Sequence, residues 1–309
     1  MKVVTLTLSP AFDIHCSLKS FELYHENLAD VTAFEAGGKG VNISRALASL
    51  GTDSCPIVAI GDENGIDFKR ALSADGLMPV YIDVKGRIRQ NITLHSADAP
   101  ETRISFKGFS VDTDFFDRVY LALEKIIDED TVLTFTGSLP EGASADSAVE
   151  LLSKIKAMGA KIVVDSRSFS LDNVKAVRPW LIKPNEEEIA LYSNRKVTDL
   201  ESAAIAASEM RSQFSDNVMI SLGSLGAVLA CEGGSFIAKA PKVNAVSTVG
   251  AGDSMIAGFI AAVKRGLDYP EILKLAVSMG SAACMTEGTR PPKKENAEAL
   301  FREVKVKNA

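Results

Sequence analysis

The order of predicted elements in this 309-residue chain indicates an α/β fold built on a doubly wound, mostly parallel sheet. From residue 112 onward, buried strand patterns alternate regularly with amphipathic helix patterns, as is typical of a sheet with helices on both faces. Residues 80–106 differ, because three strand patterns follow one another there without an intervening helix. Together with weak strand patterns within residues 12–35, they predict a small second sheet that either covers a site as a lid or pairs with another copy.

The individual elements follow from apolar periodicity and from glycine or proline at their ends. Strands are predicted over residues 2–8, 15–18, 30–34, 56–61, 80–84, 90–95, 102–106, 131–136, 161–165, 180–183, 218–222, 227–231 and 235–238. Helices are predicted over residues 41–51, 65–74, 114–128, 146–158, 200–214, 253–265, 270–285 and 294–304. No repeat or linker interrupts this order, so we expect one domain over residues 1–309, with lid strands inserted at about 12–35 and 80–106.

Composition excludes several classes of function. The net charge of −6 argues against a nucleic-acid-binding protein, which needs a basic face. No run approaches the roughly 18 consecutive apolar residues of a membrane span, so we expect no membrane partner. The four cysteines are scattered without metal-ligand spacing, and free thiols of this kind predict a cytoplasmic protein.

Residues 247–255 read Ser-Thr-Val-Gly-Ala-Gly-Asp-Ser-Met and open a long apolar helix pattern. Gly250 and Gly252 allow backbone N–H groups to converge, and the helix adds the positive end of its dipole, so the stretch predicts an anion site. Asp253 would repel an anion, but a carboxylate is expected there if it accepts a proton from an alcohol that attacks a bound phosphate. The alternative is an ordinary helix start with an acidic first turn. The stretch alone leaves both interpretations open.

Polar residues also follow the carboxyl ends of several predicted strands, which is the edge where ligands bind in open parallel sheets. They are Ser138, Asp165, Lys183, Asn185 and Gly223. Asn185 and Glu188 are one helical turn apart, so they predict a site that orients water around Mg²⁺, with Asp165 as a third member. An acidic helix start explains the same spacing. Lys183 is placed to neutralise a nucleotide phosphate.

Three further segments are candidates for ligand contacts. Residues 37–40 read Gly-Gly-Lys-Gly without the spacing of a P-loop, and they predict either close approach of a polar ligand or a simple helix-capping turn. Asn42, one turn later, could donate to a sugar hydroxyl. Arg89 is the candidate for binding a fixed anion, because a guanidinium donates two parallel hydrogen bonds to phosphate, and Arg103 could face the same way. The glycine turn over residues 221–226 could hold part of a nucleotide.

The order of these pieces resembles the ribokinase/PfkB family of carbohydrate kinases from end to end. Residues 37–42 look like the first signature of that family, and residues 247–254 look like the second, with Asp253 at the position of the catalytic base. Residues 185–188 match the N-x-x-E motif associated with magnesium and phosphate. The resemblance implies a three-layer α/β/α ribokinase-like domain with a β-sheet lid.

Within the family, the chain looks most like the branch that phosphorylates sugar phosphates. The segments that carry this resemblance are residues 6–13, 89–91, 137–140, 164–166 and 183–185, with Ser9 where the branch usually has Asn. The resemblance implies that Arg89 binds the phosphate of the substrate with help from Ser138, Lys39 and Asn27. The remaining implied substrate contacts are Asp13, Gly37, Gly38, Asn42 and Arg103. The implied nucleotide contacts are Lys183, Asn185, Ser221, Gly223, Gly226, Thr248 and Ser281. The implied catalytic residues are Asp253, Gly250, Ala251 and Gly252. The implied metal residues are Asp165, Asn185 and Glu188.

The resemblance implies an ATP-dependent kinase that uses Mg²⁺, with K⁺ as a candidate activating cation and a homodimer formed through the lid. Residues 106–109 and 180–183 favour fructose 1-phosphate as the substrate, whereas residues 89–91, Arg103 and residues 288–290 look more like the fructose 6-phosphate type. We expect fructose 1-phosphate to be converted to fructose 1,6-bisphosphate. Fructose 6-phosphate and tagatose 6-phosphate remain alternatives, as does a non-catalytic sensor on the same fold. A nicotinamide oxidoreductase is disfavoured, because no dinucleotide fingerprint follows the first strand.

Overall fold

A computed structural model of the chain describes residues 1–96, 98, 101–193 and 195–309. Its strands are β1 (Lys2–Thr7), β2 (Ala11–Leu18), β3 (Asp30–Gly37), β4 (Cys55–Gly61), β5 (Val80–Val84), β6 (Arg89–Ser96), β7 (Thr102–Ser105), β8 (Thr131–Thr136), β9 (Lys161–Asp165), β10 (Leu181–Ile182), β11 (Asn217–Ser221), β12 (Gly226–Cys231), β13 (Gly234–Lys239) and β14 (Val306–Asn308). Its helices are α1 (Lys39–Ser49), α2 (Gly65–Ala74), α3 (Phe115–Glu124), α4 (Ala145–Ala157), α5 (Leu171–Val177), α6 (Ile189–Tyr192), α7 (Leu200–Phe214), α8 (Ala251–Lys264), α9 (Tyr269–Ala283) and α10 (Lys294–Glu303).

Ten of these strands form one sheet in the order β14-β13-β12-β11-β10-β9-β8-β1-β4-β5. The pairs from β11 through β5 are parallel, and β12, β13 and β14 add an antiparallel edge. Every residue of β8 is buried, as expected for a central parallel strand that is covered on both faces. The predicted doubly wound, mostly parallel sheet is therefore confirmed.

Two separate hydrophobic clusters lie on the two faces of this sheet. One includes Val4 and Leu6 of β1 together with apolar residues of α2, α3, α4, α5 and α7. The other includes Val3 of the same strand together with apolar residues of α1, α8, α9 and α10. Because successive side chains of a strand point to opposite faces, β1 contributes to both clusters. The result is the three-layer α/β/α arrangement that the family resemblance implied.

The remaining four strands form the lid sheet, in the order β3-β2-β6-β7. Its pairs are antiparallel except β2 with β6, which run parallel over eight residues. The prediction that the strand at residues 80–84 belongs to the lid is wrong. That strand is β5, which pairs in parallel with β4 at the edge of the main sheet. Helix α2 connects β4 to β5 and supplies the crossover that a parallel pair requires.

Most predicted helices match the structure, and those at 65–74 and 200–214 match at both ends. The predicted strand at 180–183 is shorter in the structure, where β10 covers only Leu181 and Ile182, and Pro184, which has no backbone N–H to donate to a ladder, lies two residues beyond it. Helix α5 was not predicted, although Ser170 and Asn173 form a reciprocal capping box at its start. Among the described helices, none is long and apolar enough to cross a membrane.

Candidate active site

A cavity of about 520 Å³ lies where the carboxyl ends of β1, β8 and β9 meet the lid sheet. The predicted site residues that line it are Asp13, Gly38, Lys39, Asn42, Arg89, Arg103, Ser138, Asp165, Lys183, Asn185, Glu188, Ser221, Gly250, Gly252 and Asp253. These residues come from distant parts of the sequence and from both sheets. The structure therefore brings most of the predicted substrate and catalytic residues, the three predicted metal residues and three of the seven predicted nucleotide residues into one cavity.

The start of α8 forms the anion-binding wall of this cavity. Gly250 precedes the helix with a left-handed backbone (φ 78°), a conformation that favours glycine. The N–H groups of Gly252 and Asp253 lie in the first turn, where a helix offers them no acceptor of its own. A side chain at position 252 would place its first carbon 3.0 Å from the Lys183 ammonium nitrogen, so Lys183 lies directly beside the helix start. Backbone dipole and ammonium charge together favour a bound phosphate.

Asp253 is buried in the first turn of α8, with only 5 % of its surface exposed. Its Oδ2 atom accepts a hydrogen bond of 2.9 Å from the Asn42 amide. Burial raises the pKa of Asp253 to about 6, and the charge of Asp165 acts in the same direction, whereas Lys39, Asn42 and Lys183 oppose the shift. A carboxylate with such a pKa is suited to accept a proton near neutral pH.

The side-chain NH₂ of Asn42 donates to Asp253, so one of the two N–H groups expected to donate to a sugar hydroxyl is already engaged. Its oxygen Oδ1 is buried and has no hydrogen-bond partner among the described residues. A buried amide oxygen without a partner is costly, and a ligand hydroxyl would satisfy it. The geometry favours Asn42 as an acceptor for a hydroxyl and as the residue that orients Asp253.

On the lid side, Asp13 is buried and accepts hydrogen bonds from Asn91 (2.8 Å) and Arg103 (3.1 Å) through Oδ1. Gly37 on the neighbouring strand makes room for it, because a side-chain carbon at position 37 would lie 2.0 Å from Asp13 Oδ2. Gly37 itself does not line the cavity. Its contribution is the space that lets Asp13 reach the site.

Replacing Gly37 with alanine is expected to displace the Asp13 carboxylate. Thermal unfolding should show a loss of about 1–3 kcal/mol, the usual cost of overpacking, and the KM for the sugar should rise while the KM for ATP stays near the wild-type value. The control is the same substitution in an Asp13→Ala background, where the colliding atoms are gone. There Gly37→Ala should cost little stability, and an undiminished cost would contradict the account.

Arg89 begins β6 and reaches from the lid towards Ser138, to which its Nη1 donates at 3.4 Å. Burial lowers the pKa of Arg89 and the charge of Arg103 adds to that effect, while Asp13 opposes it. The Nε atom is buried without a hydrogen-bond partner among the described residues. A partly desolvated guanidinium with a free donor fits an anionic ligand, as predicted for a substrate phosphate.

The predicted metal residues are engaged with other partners. Glu188 accepts from the Asn185 backbone N–H (3.1 Å), and Asn185 Oδ1 accepts in turn from the Glu188 N–H (2.8 Å). The other oxygen of Glu188 accepts from Arg167 Nε at 3.0 Å. Asp165 Oδ2 lies 3.0 Å from Lys39 Nζ and 3.7 Å from Lys183 Nζ. Within the described ranges, no three His, Cys, Asp or Glu side chains cluster in a way that could hold a metal ion.

Charges in the centre of the cavity stabilise one another. Burial alone would raise the pKa of Asp165, but the charges of Lys183 and Lys39 outweigh it and the pKa is lowered. Burial alone would lower the pKa of Lys39, but the charges of Asp165 and Asp253 outweigh it and the pKa is raised. Asp165 and Lys39 are therefore both ionised over the neutral range.

Several predicted residues lie outside the cavity. Asn27 uses its side chain within its own loop, bonding the backbone of Glu22 and His25, so it does not assist Arg89 within this chain. Gly226 begins the β12–β13 hairpin, where a side-chain carbon would lie 2.1 Å from the Ala238 carbonyl oxygen. The others that do not line the cavity are Gly223, Thr248, Ala251 and Ser281.

Residues that we did not predict complete the site. Thr289 lines the cavity and donates twice to Glu35 of β3, at 3.1 Å from its N–H and 3.0 Å from its hydroxyl. Arg290 Nε donates to the same carboxylate at 2.9 Å, so Glu35 connects the lid sheet to the loop after α9. Asn91 and Arg167 also line the cavity. Asn91 follows Arg89 by two residues, and this spacing on one strand face could have marked it.

The cavity combines a buried carboxylate at a helix N-terminus with nearby lysines, and the lid sheet above it carries arginine. This combination is typical of the class of enzymes that transfer phosphoryl groups. The family model for pfkB family carbohydrate kinases matches residues 15–296. The chain belongs to this family, and it is an ATP-dependent sugar kinase.

Individual relatives agree with this assignment. The chain is 32% identical to the 1-phosphofructokinase of Escherichia coli strain K12 over 282 residues, which cover 91% of this chain and 90% of the relative. Phosphofructokinase-2 from Escherichia coli, solved with substrates and products, superposes with a TM-score of 0.91 at 27% identity and covers 98% of this chain and 99% of its own. The same enzyme solved with potassium gives a TM-score of 0.90 at 27% identity and 98% coverage of both chains.

Proposed function

We propose that this chain transfers the γ-phosphoryl group of ATP to the free primary hydroxyl of fructose 1-phosphate, forming fructose 1,6-bisphosphate. The observation that carries the proposal is the pairing of two features in one cavity. Asp253 is a buried base beside the anion-binding start of α8, where Lys183 supplies one positive charge. Arg89, on the lid, supplies a second and partly desolvated positive charge. A site for two phosphates with a base in the same cavity suits a substrate that already carries one phosphate.

In the proposed reaction, the phosphates of ATP lie against the start of α8 with Lys183 beside them. Asp253 accepts the proton of the attacking hydroxyl as the sugar oxygen bonds to the γ-phosphorus and ADP leaves. The N–H groups of Gly252 and Asp253 stabilise the charge on the transferring group. The Ala251 N–H is directed to the Thr248 carbonyl at 3.4 Å, so its contribution is smaller than we predicted from the sequence.

We propose that Mg²⁺ enters as part of the ATP complex. The carboxylates of Asp165 and Glu188 are already paired with lysine and arginine, which fits an ion that keeps water and phosphate oxygens as its ligands. Asn185 and Glu188 would hold its water, and the bound ion would neutralise phosphate charge. Activation by K⁺ is supported by the potassium complex of the related enzyme, and replacing K⁺ with Na⁺ in the assay tests it.

Fructose 1-phosphate is favoured over the alternatives by the 32% identity to a 1-phosphofructokinase over 91% of the chain. The close superposition on phosphofructokinase-2 favours fructose 6-phosphate as the second candidate. The two sugars carry the phosphate at opposite ends, so with the phosphate bound at Arg89 each would present a different primary hydroxyl to Asp253. Tagatose 6-phosphate is the third candidate, because it differs from fructose 6-phosphate only in the configuration at C4.

A coupled assay of ADP release separates a kinase from a sensor on the same fold. We expect ADP to form only when ATP and a sugar phosphate are both present. Binding of both ligands, measured by calorimetry, without ADP formation would favour the sensor. Asp253 argues for the kinase, because a carboxylate beside phosphate weakens simple binding.

The rate should fall at acid pH because Asp253 must be deprotonated to accept a proton. Its raised pKa of about 6 places that loss in the mildly acidic range, so kcat/KM should decline as pH falls through about 6 and level off above it. The measurement is a pH profile of kcat/KM with the ionised form of the sugar phosphate held constant. An acid limb centred near 4, the ordinary range of a carboxyl group, would contradict the burial argument.

We propose a homodimer formed through the lid sheet and its loops, where large apolar side chains are exposed. They are Leu23, Tyr24, Leu28, Val31, Phe34 and Ile104. A patch of this kind is typical of a protein interface, and sedimentation velocity over a range of concentrations tests the proposal.

We also place the protein in the cytoplasm, since a kinase that uses ATP and has four free cysteines suits a reducing compartment.

A further inference from the structure

Asp165 ends β9 in the centre of the cavity, and its side chain is only 2 % exposed. Its Oδ2 atom faces two ammonium groups, Lys39 at 3.0 Å and Lys183 at 3.7 Å. A carboxylate this deeply buried is stable only when charged or hydrogen-bonded partners compensate its lost solvation. The two lysines are those partners.

The two lysines serve different parts of the site. Lys39 begins α1, separated by one residue from the end of the lid strand β3, and its side chain lies beside Gly137. Gly137 precedes Ser138, which accepts a hydrogen bond from Arg89 on the substrate side. Lys183 is buried beside Gly252 at the start of α8, on the nucleotide side. Without a shared carboxylate, two ammonium groups so close together would repel each other and move apart.

We propose that Asp165 is a positioning residue that holds Lys39 and Lys183 at the boundary between the two phosphate sites, and that it is not a ligand of Mg²⁺. The proposal rests on the proposed kinase function. A divalent cation bound at Asp165 would lie next to two ammonium groups that already contact the same oxygen, and this repulsion opposes binding. Two lysines held in place suit the charge that builds up on a phosphoryl group in transit.

The decisive variant is Asp165→Asn, with Asp53→Asn at an exposed position as the matched control. We expect Asp165→Asn to lower kcat while the Mg²⁺ concentration for half-maximal rate stays at the wild-type value. Mn²⁺ affinity for the enzyme–ATP complex, measured by electron paramagnetic resonance, should also stay unchanged. A rise in the Mg²⁺ requirement, rescue by excess Mg²⁺ or weakened Mn²⁺ binding would overturn the proposal.

A double-mutant cycle tests whether Asp165 acts through the lysines. Asp165→Asn should lower kcat by some factor in the wild type. In a background that carries both Lys39→Met and Lys183→Met, that factor should be roughly ten times smaller, because the partners of Asp165 are absent. Equal losses in both backgrounds would overturn the proposal. Thermal unfolding checks that each variant folds. If Asp165→Asn does not fold in the wild-type background but folds when both lysines are replaced, the pairing is supported, whereas failure in both backgrounds contradicts it.

These outcomes remain distinct from failure of the proposed function. If wild-type protein forms no ADP with any of the three sugar phosphates, the proposed function is wrong. The Mn²⁺ binding measurement requires no turnover and still decides whether Asp165 is a metal ligand.

Discussion

Replacing Asp253 with asparagine is expected to lower kcat by about 10²- to 10⁴-fold, the usual contribution of a general base. Asparagine keeps the size of the side chain and can still bond to Asn42, but it cannot accept the proton of the attacking hydroxyl. The KM for the sugar phosphate should change little, because Asp13 and Arg89 remain in place. Steady-state kinetics with both substrates varied measures the two effects separately.

The matched control is Asp268→Asn. Asp268 also lies at a helix start, where it caps α9 by accepting from the Glu271 N–H at 3.0 Å, but it does not line the cavity. Its replacement should leave kcat unchanged. If Asp253→Asn retains near-wild-type kcat, Asp253 is not the base, and the proton must leave by another route.

Replacing Arg89 with alanine should raise the KM for the sugar phosphate far more than the KM for ATP. Hydrogen bonds to charged groups are worth about 1.5–3 kcal/mol, so the expected rise is roughly tenfold to a hundredfold. The KM for ATP should stay within about twofold of the wild-type value, because in the proposed reaction ATP lies against α8, away from the lid. Initial rates with each substrate varied in turn provide the comparison.

Arg87 provides the control, since it is exposed and precedes Arg89 by two residues. Arg87→Ala should change neither KM. Arg89→Lys keeps the charge but loses the forked geometry, and it should fall between wild type and Arg89→Ala. Equal rises in both KM values for Arg89→Ala would remove Arg89 from the substrate phosphate site.

Local patterns in the sequence predicted the main sheet, its helices and the anion site at α8, because periodicity, caps and glycines act over a few residues. Such patterns could not predict which residues pair across the cavity. Asn42 reaches Asp253 across 211 positions and Lys39 reaches Asp165 across 126, and only the fold brings them together. For this reason Asp165 was predicted from its strand-end position as a metal residue, whereas the structure places it between two lysines.

The lid shows the same division between local and distant information. Each predicted lid strand coincides with part of a strand in the structure, although β2 begins at Ala11 rather than at residue 15 and β3 extends to Gly37. Whether β5 joined the lid or the main sheet depended on its pairing partner. Helix α2 was predicted between β4 and β5, and the crossover rule could have assigned β5 to the main sheet. The connection of Glu35 to Thr289 and Arg290 spans more than 250 positions and leaves no local signal.

The most direct test of the central claim is kcat/KM for fructose 1-phosphate, fructose 6-phosphate and tagatose 6-phosphate at saturating ATP. We predict that fructose 1-phosphate exceeds the other two by at least about tenfold, equivalent to about 1.4 kcal/mol of transition-state binding. A higher value for either 6-phosphate would contradict the substrate assignment. The absence of ADP formation with all three would contradict the account of the site as a sugar phosphate kinase.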